Sequence, residues 1–458
     1  MAKTQYQVAL DYLYSFVDYS IERSYRYSAD VFDLGRVEDL LSRLGDPHRQ
    51  YQSVHIAGTK GKGSVSALLE SCLRSAGYRT GLYSSPHLEH FTERMRVNSY
   101  EIEQEEVAHL VDRIKPHVAV VEGLTTYEII TAMGFLYFAE QSIDFAVVEV
   151  GLGGRLDATN VLLPLVSIIT SISYDHMHLL GDSLSDIARE KAGIIKPGIP
   201  VVSSPQQYEV EVVLKEIAEE NGSPFILVGK DWHFSPGNHS LKGQQLHIWS
   251  AAEQPLMDVF VESAGDEEWV PPRYETSLLG YHQVINAATA YAGLDVLKTK
   301  GVEIGEDHIK HGFRTVSWPG RFDVISMDPI IVVDSAHNRD SALKLRIALD
   351  DYFPGQPVTL IFGASGDKDI QGMFAELLPR IRKLIVTQAD HPRAEGTAEL
   401  AKLAREYGLR VEEIPVVSDA LQHAIQNAKI EEVILVAGSI FVAGEVLTAW
   451  EKIAKLTK

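Results

Sequence analysis

Short apolar runs, bounded by Gly, Ser or Pro, alternate along this chain with longer stretches of helical periodicity. Gln52–Ala57 and residues 80–84, 145–150, 166–172 and 200–203 read as buried strands. Residues 103–114, 127–139, 184–195 and 210–220 place apolar side chains at i, i+3, i+4 and i+7, the pattern of a half-buried helix. Strands and helices in alternation predict a mostly parallel sheet with helices on both faces. The rhythm breaks from 230 to 275, where Gly, Ser, His and Trp with short alternating segments predict a small β appendage. A second series follows, with strands expected at 330–334, 358–362, 384–387, 411–414 and 433–437 and helices in the gaps. The turn-rich stretch 300–320 reads as a linker. The fold class is therefore α/β, with a larger unit over 1–300 and a smaller Rossmann-like unit over 301–458. A length of 458 residues suits two cores better than one.

Composition narrows the partners. The formal net charge of −21 argues against nucleic acid and against anionic membrane, since both require a basic footprint. A small anion remains open to a few focused Lys and Arg. Cys72 is the only cysteine, which excludes an intrachain disulfide and suits a reducing cytoplasm. Met1 to Tyr19 lacks the cationic and apolar succession of a leader, and no apolar run approaches the roughly 20 residues that span a bilayer. A cytoplasmic monomer is the default expectation.

Candidate chemistry starts where the first strand ends. Gly58-Thr59-Lys60-Gly61-Lys62-Gly63-Ser64 joins a strand to a helix, the setting of a phosphate loop. Backbone N–H groups and the helix N-terminus would cradle phosphates, Lys62 would reach the β/γ groups, and Ser64 would ligate Mg²⁺. The spacing departs from G-x-x-x-x-G-K-[ST], because Ile56 stands at the first Gly and Gly63 separates Lys62 from Ser64. Glu149 ends an apolar strand, where a carboxylate is costly unless it is paired or holds a metal. Strand carboxyl ends are where α/β proteins place ligands, which favours the metal. Asp175-His176 follows another strand; His is an unusual Mg²⁺ ligand, and a local hydrogen-bonding role competes. Lys191 shares the apolar stripe of 184, 187, 188, 194 and 195, so it either snorkels to water or is chemically altered. Glu128 completes a capping box with Thr125, which is a sufficient structural reason for it. In the second unit, Arg321, Asp334-Ser335-Ala336-His337-Asn338, Gly363-Ala364-Ser365-Gly366-Asp367-Lys368 and Gly438-Ser439 point one sheet edge at a ligand.

Taken in order, these motifs resemble the folylpolyglutamate synthase/dihydrofolate synthase branch of the Mur ligases. The resemblance is carried by the phosphate loop, Ser85-Pro86-His87-Leu88, Phe91-Thr92-Glu93-Arg94, the run from Glu149 to Asn160, Asp175-His176 and Leu180-Gly181-Asp182. Glu190-Lys191-Ala192-Gly193-Ile194, His282-Gln283 with Asn286, Gly320-Arg321, Asp334 to Asn338 and Gly438-Ser439 complete it. It implies a P-loop ATPase domain followed by a glutamate-ligase domain. It further implies two Mg²⁺ sites using Ser64, Glu149, His176 and Lys191 as a carbamate, with Lys62, Lys191 and His337 in catalysis. Asn286, Arg321 and Asp334 would join the loop in contacting ATP. Pro86, His87, Phe91, Arg94, Asp157, Asn160, His337 and Ser439 would contact the other substrates, L-glutamate and a reduced folate or dihydropteroate. Thr92, Tyr127, Ser335 and Arg339 depart from the residues usual in the family, and Lys60 is more typical of chains that only extend folate. These departures bear on the acceptor.

The implied reaction is ATP-dependent amide ligation through an acyl phosphate. One rival is a Mur-type ligase with a different acceptor, though few residues precede Gly58 to form the extra N-terminal domain that cell-wall members use. The other is a P-loop nucleotide switch, against which stand the missing [NT]-K-x-D motif and the ligand edge of the second unit.

Overall fold

The computed structural model describes residues 3–17, 32–263, 265 and 269–456; residues 1, 2, 18 and 19 of the segment read for a leader lie outside these. An eight-stranded sheet forms the first unit, in the spatial order Tyr100–Glu101, Met95–Val97, Thr80–Tyr83, Phe145–Glu149, Gln52–Ala57, Val166–Ile169, Val201–Ser203 and Phe225–Leu227. Pairing is antiparallel among the first three strands in this order and parallel from Thr80–Tyr83 onward. The central strands are apolar on both faces because both faces are covered. Phe145 and Val147 enter one core with the helices Lys62–Ser75 and Tyr281–Thr299, while Ala146 and Val148 enter the opposite core with Gln104–Val118 and Thr126–Glu140. Among the described residues no helix is long and apolar enough to cross a membrane.

The appendage is a three-stranded antiparallel sheet of Trp232–Ser240, Gly243–Ser250 and Arg273–Thr276, with a helix, Gln254–Glu262, between the last two strands. The second unit is a six-stranded sheet in the order Asp323–Met327, Ile330–Val333, Val433–Ala437, Val358–Phe362, Lys383–Gln388 and Val411–Val416, antiparallel only at its first pair.

The stretch 300–320 is not a linker throughout. It holds the helix Glu306–Thr315, whose Ile309 and Phe313 are fully buried in the core under the phosphate-loop helix. Gly312 lets the two helices touch, since a Cβ there would lie 2.6 Å from Cys72 Cα, and Ser71 Oγ donates to its carbonyl at 2.8 Å. The i, i+4 pair Ile309 and Phe313 supplies the burial, and the surrounding Gly, His and Lys disguise it. Only the segment after Val316 crosses between units.

Candidate active site between the two units

The phosphate loop is built by its glycines. Gly61 adopts φ 94°, open to Gly without strain, and a Cβ there would run into the amide oxygen of Asn286. The N–H groups of Thr59 and Lys60 donate to the Ser171 carbonyl at 2.9 and 3.0 Å, tying the loop to the neighbouring strand end. The helix then begins at Lys62. Lys62 Nζ lies 3.7 Å from Glu149 Oε1, and both side chains are largely shielded from water. Burial pushes the Glu149 carboxyl up, and Lys62 and Arg321 pull it back. Ser64 is buried beside the loop.

Asp175 joins the two units. Lys60 Nζ donates to Asp175 Oδ2 at 2.9 Å, and from the second unit Asn338 Nδ2 donates to the same oxygen at 3.0 Å. Lys368 Nζ stands 3.8 Å from Oδ1 and His337 Nε2 4.0 Å from Oδ2. Burial alone would raise this carboxyl, but Lys60, His176, Lys368 and His337 hold it well below the usual range. His337 Nδ1 lies 2.9 Å from the Ser335 carbonyl, which can only accept, so this nitrogen carries the hydrogen. Its Nε2 therefore offers a lone pair to Lys60 Nζ, 3.4 Å away, and Lys60 with burial keeps the ring well below the usual histidine range. His176 caps a short helix 3.8 Å from Asp175 Oδ1, and burial pushes it down to about 4.

Lys191 does not snorkel. It lies on the buried stripe with Leu184, Ile187 and Ala188, is 5% exposed, and donates from Nζ to the Gly58 carbonyl at 2.9 Å. Burial, and then Lys62, push its amine down to about 7.

Other expected residues divide. Asp334 Oδ2 and Oδ1 accept the N–H groups of Phe322 at 2.7 Å and Ala336 at 2.8 Å, which fixes the turn carrying Arg321 against the strand end. Arg321 and Pro86 line a cavity of about 240 Å³ between the units, with Arg96 and Trp318. Trp318 also packs on the loop, because a Cβ at Gly63 would sit 2.7 Å from its ring. Ser439 Oγ accepts the Phe441 N–H at 3.2 Å at the start of the last helix, near Ala336. Phe91, by contrast, is buried in the core, and His87 and Arg94 bond to each other at 2.9 Å beside it. Asp157 accepts from the backbone of Leu152 and Thr159, and Asn160 Nδ2 donates to the carbonyls of Arg155 and Gly193. These two brace the glycine loop under Lys191. Sequence reasoning named Asp175 only as part of a dipeptide, Lys368 only within a turn, and did not single out Trp318. The strand-end rule that selected Glu149 applies equally to Asp175.

Glu128 is structural. It accepts the Thr125 N–H at 2.7 Å and pairs with Arg36 at 3.0 Å in a mostly buried setting. Glu128→Ala is expected to cost about 2–3 kcal/mol, as loss of a cap and a shielded pair, while turnover per folded molecule stays unchanged. Urea unfolding beside active-site titration checks this.

The family model for the Mur ligase middle domain matches residues 56–294, and that for the Mur ligase glutamate ligase domain matches residues 320–440. A dihydrofolate synthase/folylpolyglutamate synthase of Bacillus subtilis is 34% identical over 424 residues, covering 90% of this chain and 94% of that one. The chain belongs to this family. Folylpolyglutamate synthase from Thermotoga maritima superposes with a TM-score of 0.80 at 32% identity, covering 97% of this chain and 96% of that one. Escherichia coli FolC, solved in complex with DHPP and ADP, gives 0.83 at 29% identity and covers 98% and 99%. The middle-domain match takes in most of the eight-stranded sheet and the appendage, the glutamate-ligase match takes in the six-stranded sheet, and the charged cluster around Asp175 lies where the two matched regions meet.

Proposed function

We propose that this chain is an ATP-dependent ligase that joins L-glutamate to a folate, extending a reduced folate and accepting dihydropteroate as a related carboxylate. The observation that carries this reading is Asp175: one carboxylate gathers Lys60 of the phosphate loop with His337, Asn338 and Lys368 of the second unit. Phosphate chemistry and the second unit's ligand edge thus share one cationic cleft in a chain of net charge −21. The names of the relatives, and FolC with DHPP and ADP, point to the same substrates.

A carboxylate is anionic and lacks a good leaving group, so it does not acylate an amine directly. Transfer of the γ-phosphoryl forms a carboxyl–phosphate bond and breaks the bond to ADP. The glutamate amine, neutral after losing a proton, then attacks the carbonyl carbon, expels phosphate and gives up a second proton, which leaves with the phosphate. The chain's work is orientation and charge neutralisation, by Lys62 and the loop N–H groups on the phosphates and Arg321 from the facing unit. Among the described residues no group of three or more His, Cys, Asp or Glu could hold a metal alone. Mg²⁺ binds through one or two protein oxygens and substrate phosphates, and the buried Glu149 carboxylate at its strand end is a donor of that kind. Ser64, Glu149 and His176 would hold it, with carbamylated Lys191 near a second one, and when bound it would neutralise phosphate charge. Both halves of the site come from one chain, so a monomer suffices.

Incubation with ATP, L-glutamate and either tetrahydrofolate or dihydropteroate, with products identified by mass, tests the reading; glutamate-independent ATP hydrolysis without a new amide would sink it. Arg321→Ala and Asp334→Ala are each expected to weaken nucleotide binding about tenfold or more, the worth of a charged hydrogen bond. Calorimetric titration with a non-hydrolysable analogue measures this. Unchanged affinity in both variants would mean that the second unit does not close on the nucleotide.

A further inference from the structure

The β appendage reaches across the boundary between units. Leu246 and Ile248 of its hairpin are buried in the first unit's core, while Leu241 at the tip packs on the second. His239, also near the tip, stands 4.6 Å ring to ring from Tyr352 and 3.5 Å from Asp351. Between these anchors, Gln244 is held by three bonds. Its Nε2 donates to the carbonyls of Leu278 at 2.6 Å and Gly280 at 2.9 Å, and its Oε1 accepts the Tyr352 hydroxyl at 3.2 Å. The same hydroxyl accepts the Gly280 N–H at 3.3 Å. Burial pushes the phenol up to about 12, so it stays protonated and keeps both roles.

The segments that meet at this phenol carry the expected nucleotide contacts. Gly280, at φ 98°, leads directly into the helix Tyr281–Thr299, whose Asn286 leans on Gly61 of the phosphate loop. The Tyr352 ring lies 5.4 Å from that of Phe322, which follows Arg321 and whose N–H is held by Asp334. Leu278 belongs to the first core and Leu279 to the second, so this segment packs on both units before the chain returns to the first in the helix Tyr281–Thr299.

We propose that Tyr352 is a positioning residue for the nucleotide: its hydroxyl, braced by Gln244 of the appendage, sets Asn286 and Arg321 in register across the unit boundary. This rests on the proposed placement of ATP between the units. The appendage is then a brace for the nucleotide site, and Tyr352 touches no substrate.

The test is Tyr352→Phe in the full chain, which removes one oxygen and leaves the ring packing against His239 and Phe322. Affinity for AMPPNP is expected to fall about fivefold, the worth of one neutral hydrogen bond. KM for ATP should rise in step, while KM for glutamate holds within about twofold. Gln244→Leu, which removes the brace and leaves the phenol, should shift nucleotide affinity in the same direction. A lowered melting temperature with unchanged AMPPNP affinity in Tyr352→Phe would make the residue a strut only and overturn the inference. Wild-type protein that does not bind AMPPNP would overturn the proposed nucleotide site and this inference together.

Discussion

Lys62→Ala and Glu149→Ala are each expected to lower ligation by about a thousandfold or more, the scale of losing a group that stabilises transition-state charge, with little loss of folded protein. Lys62 opens the phosphate-loop helix and Glu149 ends its strand, with the two side chains 3.7 Å apart and shielded from water. A structural ion pair would give the same proximity, so single variants alone do not separate the readings. The double variant Lys62→Ala/Glu149→Gln does. If the pair only neutralises itself, removing both charges relieves the buried carboxylate that Lys62→Ala leaves behind, and stability and activity recover together. If Lys62 neutralises phosphate and Glu149 holds a metal, stability recovers and activity does not. Glutamate-dependent phosphate release beside thermal unfolding measures both. Near-normal turnover in either single variant would remove the phosphate-loop assignment.

Most strands of the two larger sheets were legible because they are short, largely apolar runs between turn residues, whereas Phe225–Leu227 and Asp323–Met327 were not read as strands. Gln52–Ala57, Val358–Phe362 and Val433–Ala437 lie where their composition places them. The edge strands Met95–Val97 and Tyr100–Glu101 were not, being too short to show a period and mixing Arg and Glu with apolar residues. Helix Glu306–Thr315 was missed because two buried residues, Ile309 and Phe313, anchor it within an otherwise polar segment. At the site, sequence spacing located each strand-end motif but not the meeting of Lys60, Asp175, His337, Asn338 and Lys368, since that depends on how the units dock. Asp157 and Asn160 show a different gap between sequence and structure. Their residue types suit a ligand, yet their bonds go largely to backbone groups of the loop they brace.

Lys191→Ala is expected to lower kcat by about a hundredfold or more, and added acetate to restore part of it. The amine lies in the interior, bonded to the Gly58 carbonyl, and burial with Lys62 pushes it down to about 7. An ordinary lysine at neutral pH is uncharged in fewer than about one molecule in a thousand; this one is uncharged in a large fraction. A neutral amine attacks CO₂, forming a nitrogen–carbon bond and releasing a proton, and leaves an anionic carbamate with two oxygens. The cations Lys62 and Lys60, close enough to disfavour an ammonium at this position, favour that anion for the same reason. Its oxygens are also what a hard cation requires. Two measurements distinguish this from a lysine that only packs. Wild-type activity should fall in CO₂-depleted buffer and return with bicarbonate, and a carbamate carbon should appear in the NMR spectrum of protein equilibrated with labelled bicarbonate. Acetate rescue of Lys191→Ala then shows that the missing group was a carboxylate. Turnover indifferent to CO₂, no carbamate signal and no rescue would return Lys191 to a neutral amine whose role is the hydrogen bond to Gly58.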